Sequence, residues 1–364
     1  MVGLTLVERD RRIELIRREM RAQDLVALVV SGSTARKGHL QYLTNYNIPI
    51  DYAYLVLPLE ADPTLFVFTP NQARIAPKRS WVSDARYSPD YGVSIAGRLR
   101  EVGAADLSVG VVGMDVMSAR TYQTIAESLP SVKLVDAGEI VAGARTLKSD
   151  EEVALIREAA MLADGAYAAG RAVARAGGRD YDVFAEIDYF LRRHGVIEAF
   201  NLVTADTLPA FPYLPVGNVL RDGEAVLLEI TPRYQGCYAQ LTAVATVGEP
   251  NVERERMGEV AKQALEKAVA VLRPGTRACD VDAAMRAVVE GAGYTMPQRA
   301  GHGVGLDVDE RPPLTPSSLT PLQAGMTVVV HPSVAIPEKG GVFLGGTFLI
   351  TVNGREKLFQ TELT

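Results

Sequence analysis

The first part of the chain alternates between helical and strand spacing of its hydrophobic positions. From Leu6 to Gln23, apolar residues recur at helical spacing among charged ones, which predicts an amphipathic surface helix. Short runs rich in β-branched residues follow and predict strands. These runs are LVALVVSG from Leu25, YAYLVLPL from Tyr52, PTLFVF from Pro63, LSVGVVG from Leu107 and VKLVDA from Val132. Helical stretches between some of them indicate an α/β unit of common domain size.

At Lys148 the pattern changes. Ser149 precedes Glu152 with the spacing of a capping box, which predicts a long helix that begins there and runs to about Arg175. The segments that follow are a helix at Tyr181–Arg193, strands within Ala225–Val247, helices at Glu253–Leu272 and Cys279–Gly291, and the closing strands MTVVVHP, GVFLGG and TFLITV. Helices followed by strands indicate an α+β class, with domains at 1–145 and 146–364.

Composition narrows the function classes. The chain has 364 residues, which exceeds the usual size of one hydrophobic core, and a formal net charge of -6, which argues against nucleic-acid binding. No apolar run reaches the roughly 18 residues of a membrane span. The first residues are rich in arginine and glutamate where a signal peptide is apolar, and 2 cysteines are too few for a disulfide framework. We therefore predict a cytoplasmic protein that binds neither nucleic acid nor membrane.

Four segments resemble the creatinase, prolidase and aminopeptidase P family, also called M24. They are GHGVGLDVDERP at 301–312, DGEAVLLEITPRYQGCYAQLTAVATVG at 222–248, AGMTVVVHPSVAIP at 324–337 and GVFLGGTFLITVNG at 341–354. Their order and spacing match the family's histidine motif, its two-aspartate hairpin and its two glutamate strands. The resemblance implies an N-terminal α/β creatinase-like domain followed by a C-terminal pita-bread domain, in a homodimer.

The resemblance also implies five metal-ligand positions, which the family's metallopeptidases fill with Asp, Asp, His, Glu and Glu. Here these positions hold Glu229, Gln240, His302, His331 and Gly345. Two dications held close together need several anionic oxygens, and Glu229 is the only carboxylate. We therefore predict no bound metal or other cofactor, and no dinuclear aminopeptidase.

Three functions remain open. The favoured one is a metal-independent hydrolase or lyase that cleaves a C–N bond of a small amidino, amide or cyclic compound, as the family's creatinase and ectoine-hydrolase branch implies. In that enzyme Glu229 acts as nucleophile or acid/base, and His302 and His331 transfer protons. The alternatives are a mononuclear metal enzyme that uses the same three residues, and a catalytically inactive pita-bread protein kept for binding.

Four further residues are predicted to bind the small-molecule substrate. Gln240 can orient an amide or amidine, and Asp309 can pair with a cationic substrate or orient a histidine. Arg299, which precedes His302 closely in the chain, can bind a carboxylate with two hydrogen bonds. Tyr213 neighbours Pro212, at a position where the family's peptidases carry an assisting histidine.

Overall fold

The computed structural model describes residues 4–206, 211–337 and 339–363. Its contacts divide the chain into two compact units, Met1–Arg145 and Thr146–Thr364. In the described part of the chain, no helix is both long and apolar enough to cross a bilayer. Of the two cysteines, Cys237 is buried and Cys279 is partly buried.

The N-terminal unit is a mixed sheet flanked by helices. Its strands are β1 (Ala27–Ser33), β2 (Tyr52–Pro58), β3 (Thr64–Val67), β4 (Asp84–Tyr87), β5 (Ser108–Val112) and β6 (Lys133–Asp136). Its helices are α1 (Leu6–Ala22), α2 (Gly38–Thr44), α3 (Pro70–Ile75), α4 (Tyr91–Glu101), α5 (Ala119–Ser128) and α6 (Gly138–Thr146), with a 3₁₀ turn at Ala76–Lys78. The described strands lie in the order β4-β3-β2-β1-β5-β6. The predicted helix and strand runs of this unit are confirmed.

The C-terminal unit combines long helices with an antiparallel sheet. The helices are α7 (Asp150–Val173), α8 (Asp180–Arg193), α9 (Val252–Val271) and α10 (Ala278–Gly291). The strands are β7 (Glu198–Asp206), β8 (Ala225–Tyr234), β9 (Cys237–Tyr238), β10 (Leu241–Thr246), β11 (Gly301–Gly303), β12 (Glu310–Leu314), β13 (Thr327–Val330), β14 (Ser333–Ile336), β15 (Gly340–Phe343), β16 (Gly345–Thr351) and β17 (Gly354–Lys357). The described strands of the main sheet lie in the order β12-β11-β13-β16-β10-β8-β7.

Local chemistry explains where the elements of this unit begin. Ser149 accepts a hydrogen bond from the Glu152 N–H, and the Glu152 side chain accepts one from the Ser149 N–H, so α7 starts with the predicted capping box. Strand β8 alternates at its centre: Leu228 and Ile230 belong to the hydrophobic core, so Glu229 points to the opposite face. That alternation gives the sheet a polar face, opposite the hydrophobic core, on which the candidate site lies.

Candidate functional site

The register of three strands places one row of candidate residues on this face. Glu229 of β8 pairs with Thr242 of β10, and Thr242 pairs with Gly345 of β16. Side chains of residues directly opposite each other in a sheet project to the same face. Glu229 and Thr242 are therefore neighbours, and the next position of the row carries no side chain.

A second row lies alongside the first. His302 of β11 pairs with Val329 of β13, which pairs with Thr347 of β16. The Thr347 hydroxyl accepts a hydrogen bond from the Gln240 N–H at 2.8 Å and donates one to the Gln240 carbonyl at 3.0 Å. Thr347 lies two residues after Gly345 on one strand, so both rows share a face. The sheet thus brings Glu229, Gln240 and His302 together on one surface.

The two histidines form a buried pair. The ring centroids of His302 and His331 lie 5.4 Å apart, and the His331 ring also packs on Phe343 at 4.8 Å. Burial lowers the pKa of both imidazoles, and the neighbouring His302 lowers that of His331 further. His302 Nδ1 lies 2.9 Å from the Gly303 carbonyl, which assigns the proton to Nδ1 and leaves the Nε2 lone pair for a substrate or water.

Glu229 is a buried carboxyl with an unusual proton affinity. It is 9 % exposed, and burial raises the pKa of Glu229 to about 7, although the positive charge of Arg299 opposes the shift. Burial disfavours the charged form because a carboxylate loses its hydration there. Near neutral pH the site therefore holds a carboxyl that exchanges its proton readily and two imidazoles that stay uncharged.

Arg299 and Asp309 form a more exposed pair beside His302. Arg299 Nη2 donates to Asp309 Oδ2 at 2.5 Å, and Asp309 Oδ1 lies 4.0 Å from His302 Nδ1. Both predicted substrate-binding residues thus lie next to a predicted catalytic one. Asp309 is placed to stabilise positive charge on the His302 ring.

Tyr213 lies elsewhere in the described contacts. Its N–H donates to the Thr204 hydroxyl at 2.6 Å, and its carbonyl accepts from the Val203 N–H at 3.0 Å, which ties its backbone to β7. The side chain is half exposed. These contacts do not include Glu229 or the histidines, so its part in substrate binding stays a prediction.

The structure adds two residues that sequence reasoning missed, Thr231 and Thr242. Within the described ranges, four buried atoms of the site face have no hydrogen-bond partner: Thr231 Oγ1, Gln240 Oε1, Thr242 Oγ1 and His331 Nδ1. Each threonine follows a predicted site residue, Glu229 or Gln240, by two positions on an extended segment. That period-two spacing was the available signal, because such residues project to one face.

The residues at the five ligand positions do not fit a pair of metal ions. The described residues contain no group of three or more His, Cys, Asp or Glu side chains that could hold one ion. A Cβ atom at Gly345, where the backbone φ is +147°, would lie 2.0 Å from the Val330 carbonyl oxygen. A carboxylate at that position would therefore require the backbone to move. Glu229 alone cannot balance the charge of two dications.

Comparisons with known proteins cover both units. The model of "Metallopeptidase family M24" matches residues 154–352, and the model of "Creatinase/Prolidase N-terminal domain" matches residues 12–147. These matches confirm the predicted α+β class, with an α/β creatinase-type domain followed by a pita-bread domain.

Two of the similar curated proteins carry dipeptidase names. A Xaa-Pro dipeptidase of Pyrococcus horikoshii is 29% identical over 263 residues, covering 70% of this chain and 74% of the relative. A putative dipeptidase of Bacillus subtilis, YkvY, is 31% identical over 255 residues, covering 68% and 70%. Among solved structures, the prolidase from Pyrococcus horikoshii OT3 superposes with a TM-score of 0.86 at 22% identity, covering 97% of this chain and 99% of that one.

These findings correct two predictions. The assignment to the creatinase and ectoine-hydrolase branch is wrong, and so is the function of a metal-independent hydrolase of non-peptide C–N bonds. The matching family model is one of metallopeptidases, and the similar proteins are named as a Xaa-Pro dipeptidase and a putative dipeptidase. The physical reason is that the ligand positions are only a few residues of the chain. A few substitutions at ligand positions change the metal chemistry of a site, but similarity over most of the chain, not those positions, decides which proteins are its relatives.

Proposed function

Because this chain belongs to metallopeptidase family M24, a family of peptide hydrolases, we propose that it cleaves small peptides, with Xaa-Pro dipeptides as the substrate class. The names of the curated relatives support that class. The family's metal pair does not fit the described residues, so we assign roles only to side chains of this chain.

The observation that carries the proposal is the state of His302. Its imidazole is neutral because it is buried, and its Nδ1 is engaged by the Gly303 carbonyl. Nε2 can accept a proton from water while the water oxygen bonds to the peptide carbonyl carbon. The C–N bond then breaks as the imidazolium returns that proton to the leaving proline nitrogen. Asp309, 4.0 Å from Nδ1, stabilises the intermediate charge.

The other site residues receive binding and supporting roles. His331 packs against His302 and stays uncharged, so it does not repel the imidazolium that forms. Glu229 supplies the negative charge of the site, and Gln240 lies on the same face. A guanidinium has five N–H donors, so Arg299 can bind the substrate carboxylate while it remains paired with Asp309. Tyr213, whose backbone is hydrogen-bonded to β7, remains proposed as a substrate contact.

The test is release of proline from a panel of Xaa-Pro dipeptides such as Ala-Pro. Assays are run after chelator treatment and with Mn²⁺, Co²⁺ or Zn²⁺ added separately, so that the result does not depend on one metal condition. We expect release by the wild type and a loss of at least about 100-fold in kcat for His302→Gln, the usual size of a lost general base. The control is His194→Gln, at an exposed histidine that ends α8.

Two outcomes would contradict the proposal. No proline release under any of these conditions would overturn the peptidase function. Full activity of His302→Gln would leave the function standing but remove His302 from the role of base.

We also propose that the chain forms a homodimer and is cytoplasmic, as the family resemblance and the composition predict. Light scattering after size exclusion tests the dimer, because a monomer mass of 39.2 kDa is well separated from twice that value.

A further inference from the structure

Residues 358–361, which follow β17 and which we call the strap, contact both α7 and β16. One carboxylate holds the end of the strap. Asp164 of α7 accepts hydrogen bonds from the Gln360 N–H at 2.7 Å, from the Thr361 N–H at 2.8 Å and from the Thr361 hydroxyl at 2.5 Å. Hydrogen bonds to a charged acceptor are stronger than those between neutral groups, so this carboxylate fixes the strap to the helix.

The start of the strap packs against the back of β16. The Phe359 ring is 2 % exposed and meets the Phe348 ring edge-on, with 5.6 Å between the centroids. A Cβ atom at Gly346 would lie 2.6 Å from two carbon atoms of the Phe359 ring, so this packing requires a residue without a side chain. Gly346 and Phe348 alternate along the strand with Gly345 and Thr347, so Phe359 lies on the face opposite the site.

A main-chain hydrogen bond joins the strap to the second row of the site. The Leu358 N–H donates to the Thr347 carbonyl at 3.1 Å. The Thr347 hydroxyl makes two hydrogen bonds to the backbone of Gln240. On its other side Thr347 pairs with Val329, which pairs with His302. The strap therefore contacts the residue from which this row extends to Gln240 and to His302.

We infer that Asp164 is a positioning residue, which fixes the strap to α7 and thereby holds β16 in the geometry that His302 needs. The kinetic part of this inference rests on the proposed function, in which His302 is the base. Asp164 bonds to the strap, so it acts through β16 and not on the substrate. Rates are sensitive to such support, because a displacement of about 1 Å at the reacting groups can cost about 100-fold.

The kinetic test is proline release from Ala-Pro by the Asp164→Ala protein. We expect kcat to fall at least about 10-fold, because β16 is no longer held from behind and the reacting groups lose their alignment. KM should change less than about 3-fold, since Arg299 and Asp309, the proposed carboxylate-binding pair, lie outside the strap and β16. Thr361→Val removes one of the three donors and should lower kcat by a smaller factor.

Two control variants separate the strap from general effects on the fold. Arg157→Met is the matched control, because it breaks the exposed pair between α7 and Glu356 of β17 and leaves the strap intact. Thr276→Val removes a hydrogen bond of 2.7 Å to the Val271 carbonyl, away from the strap, so it should lower stability. Both variants should keep the wild-type kcat.

Amide hydrogen exchange, followed by NMR, tests the support of β16 without a substrate. The Gln240 N–H donates to the Thr347 hydroxyl, so its exchange reports how firmly this row is held. We expect it to exchange at least about 10-fold faster in Asp164→Ala and at the wild-type rate in Arg157→Met, since exchange follows local opening. If Asp164→Ala does not fold, Thr361→Val takes its place in both measurements.

The outcomes separate this inference from the proposed function. Unchanged exchange at Gln240 overturns the inference whether or not the wild type releases proline. In an active enzyme, an unchanged kcat of Asp164→Ala overturns it too, and so does an equal loss of kcat in Thr276→Val, which would assign the loss to stability. If the wild type releases no proline, the proposed function fails, and faster exchange at Gln240 still supports the strap as the support of β16.

Discussion

Two buried acidic residues of the C-terminal unit, Glu310 and Glu229, differ in how neighbouring groups compensate their negative charge. Lys148 Nζ donates to Glu310 Oε2 at 2.8 Å, and Glu310 Oε1 also accepts from the Asp307 N–H at 3.1 Å. Glu229 is similarly buried, but among the described residues the one charge that favours its ionised form is that of Arg299, which is itself paired with Asp309. The first carboxylate holds the loop between β11 and β12, inside the histidine motif, in place. The second carboxylate has no cation paired directly with it and can still bind a ligand, as a functional site requires.

Removing one partner of the satisfied pair should have the largest effect on stability. Lys148→Met leaves Glu310 buried without its cation, and such changes lower the free energy of unfolding by about 3–5 kcal/mol. Urea unfolding followed by circular dichroism measures it. The control is Arg157→Met, which breaks the exposed Arg157–Glu356 pair and should cost less than about 1 kcal/mol. Equal effects of the two substitutions would show that the buried pair does not stabilise the fold.

Neutralising Glu229 should act in the opposite direction. The pKa of Glu229 is about 7 in the folded protein and near 4.5 in the unfolded chain, so between these values the unfolded chain loses its proton first. Stability then falls as pH rises from about 4.5 and stays low above about 7. Glu229→Gln should therefore be more stable than wild type by up to about 3 kcal/mol at pH 8, with little difference at pH 4.5.

The control for this prediction is Glu266→Gln, at an exposed glutamate of α9. It should leave the pH dependence of unfolding unchanged. A Glu229→Gln protein whose stability follows the wild-type curve at every pH would mean that Glu229 is stabilised by a partner in its ionised form, and the contrast with Glu310 would disappear.

Local signals predicted much of this fold from sequence. The capping box at Ser149 marked the start of α7, and the β-rich runs marked β8, β10, β13 and β16. These signals depend only on neighbours along the chain, so the sequence contains them directly.

Which side chains are neighbours in the site depends on the pairing between strands, and local sequence signals did not predict it. That Thr242 faces both Glu229 and Gly345 follows from register, which a single sequence does not specify. The lost ligands at Gln240 and Gly345 were visible, but they suggested the wrong branch. Substitutions at a site describe its local chemistry and do not identify the protein's relatives.

A smaller effect is expected at Gly345, in the row that contains Glu229, where we ask whether the strand can accept a side chain. Gly345→Ala should destabilise the protein by about 2 kcal/mol, because its Cβ would meet the Val330 carbonyl oxygen and the backbone conformation suits glycine. Gly258→Ala is the control, since a Cβ there meets nothing within 4 Å and lies inside helix α9, where alanine should stabilise by up to about 1 kcal/mol. Gly345→Ala with wild-type stability would mean that the strand adapts and that a side chain fits at this position.

The smallest expected effect concerns His331, whose burial lowers its pKa below the usual value of 6.5. As pH falls through 6.5 the unfolded chain takes up a proton that the folded protein does not, so wild type loses stability. His331→Gln should lose about 1 kcal/mol less than wild type between pH 6.5 and 5.5, the interval in which an ordinary histidine becomes mostly charged. His194→Gln, at an exposed histidine, should follow the wild-type curve. If His331→Gln also followed it, the imidazole would be protonated in the folded protein, and the acceptors of the site would face a cation that the protein itself supplies.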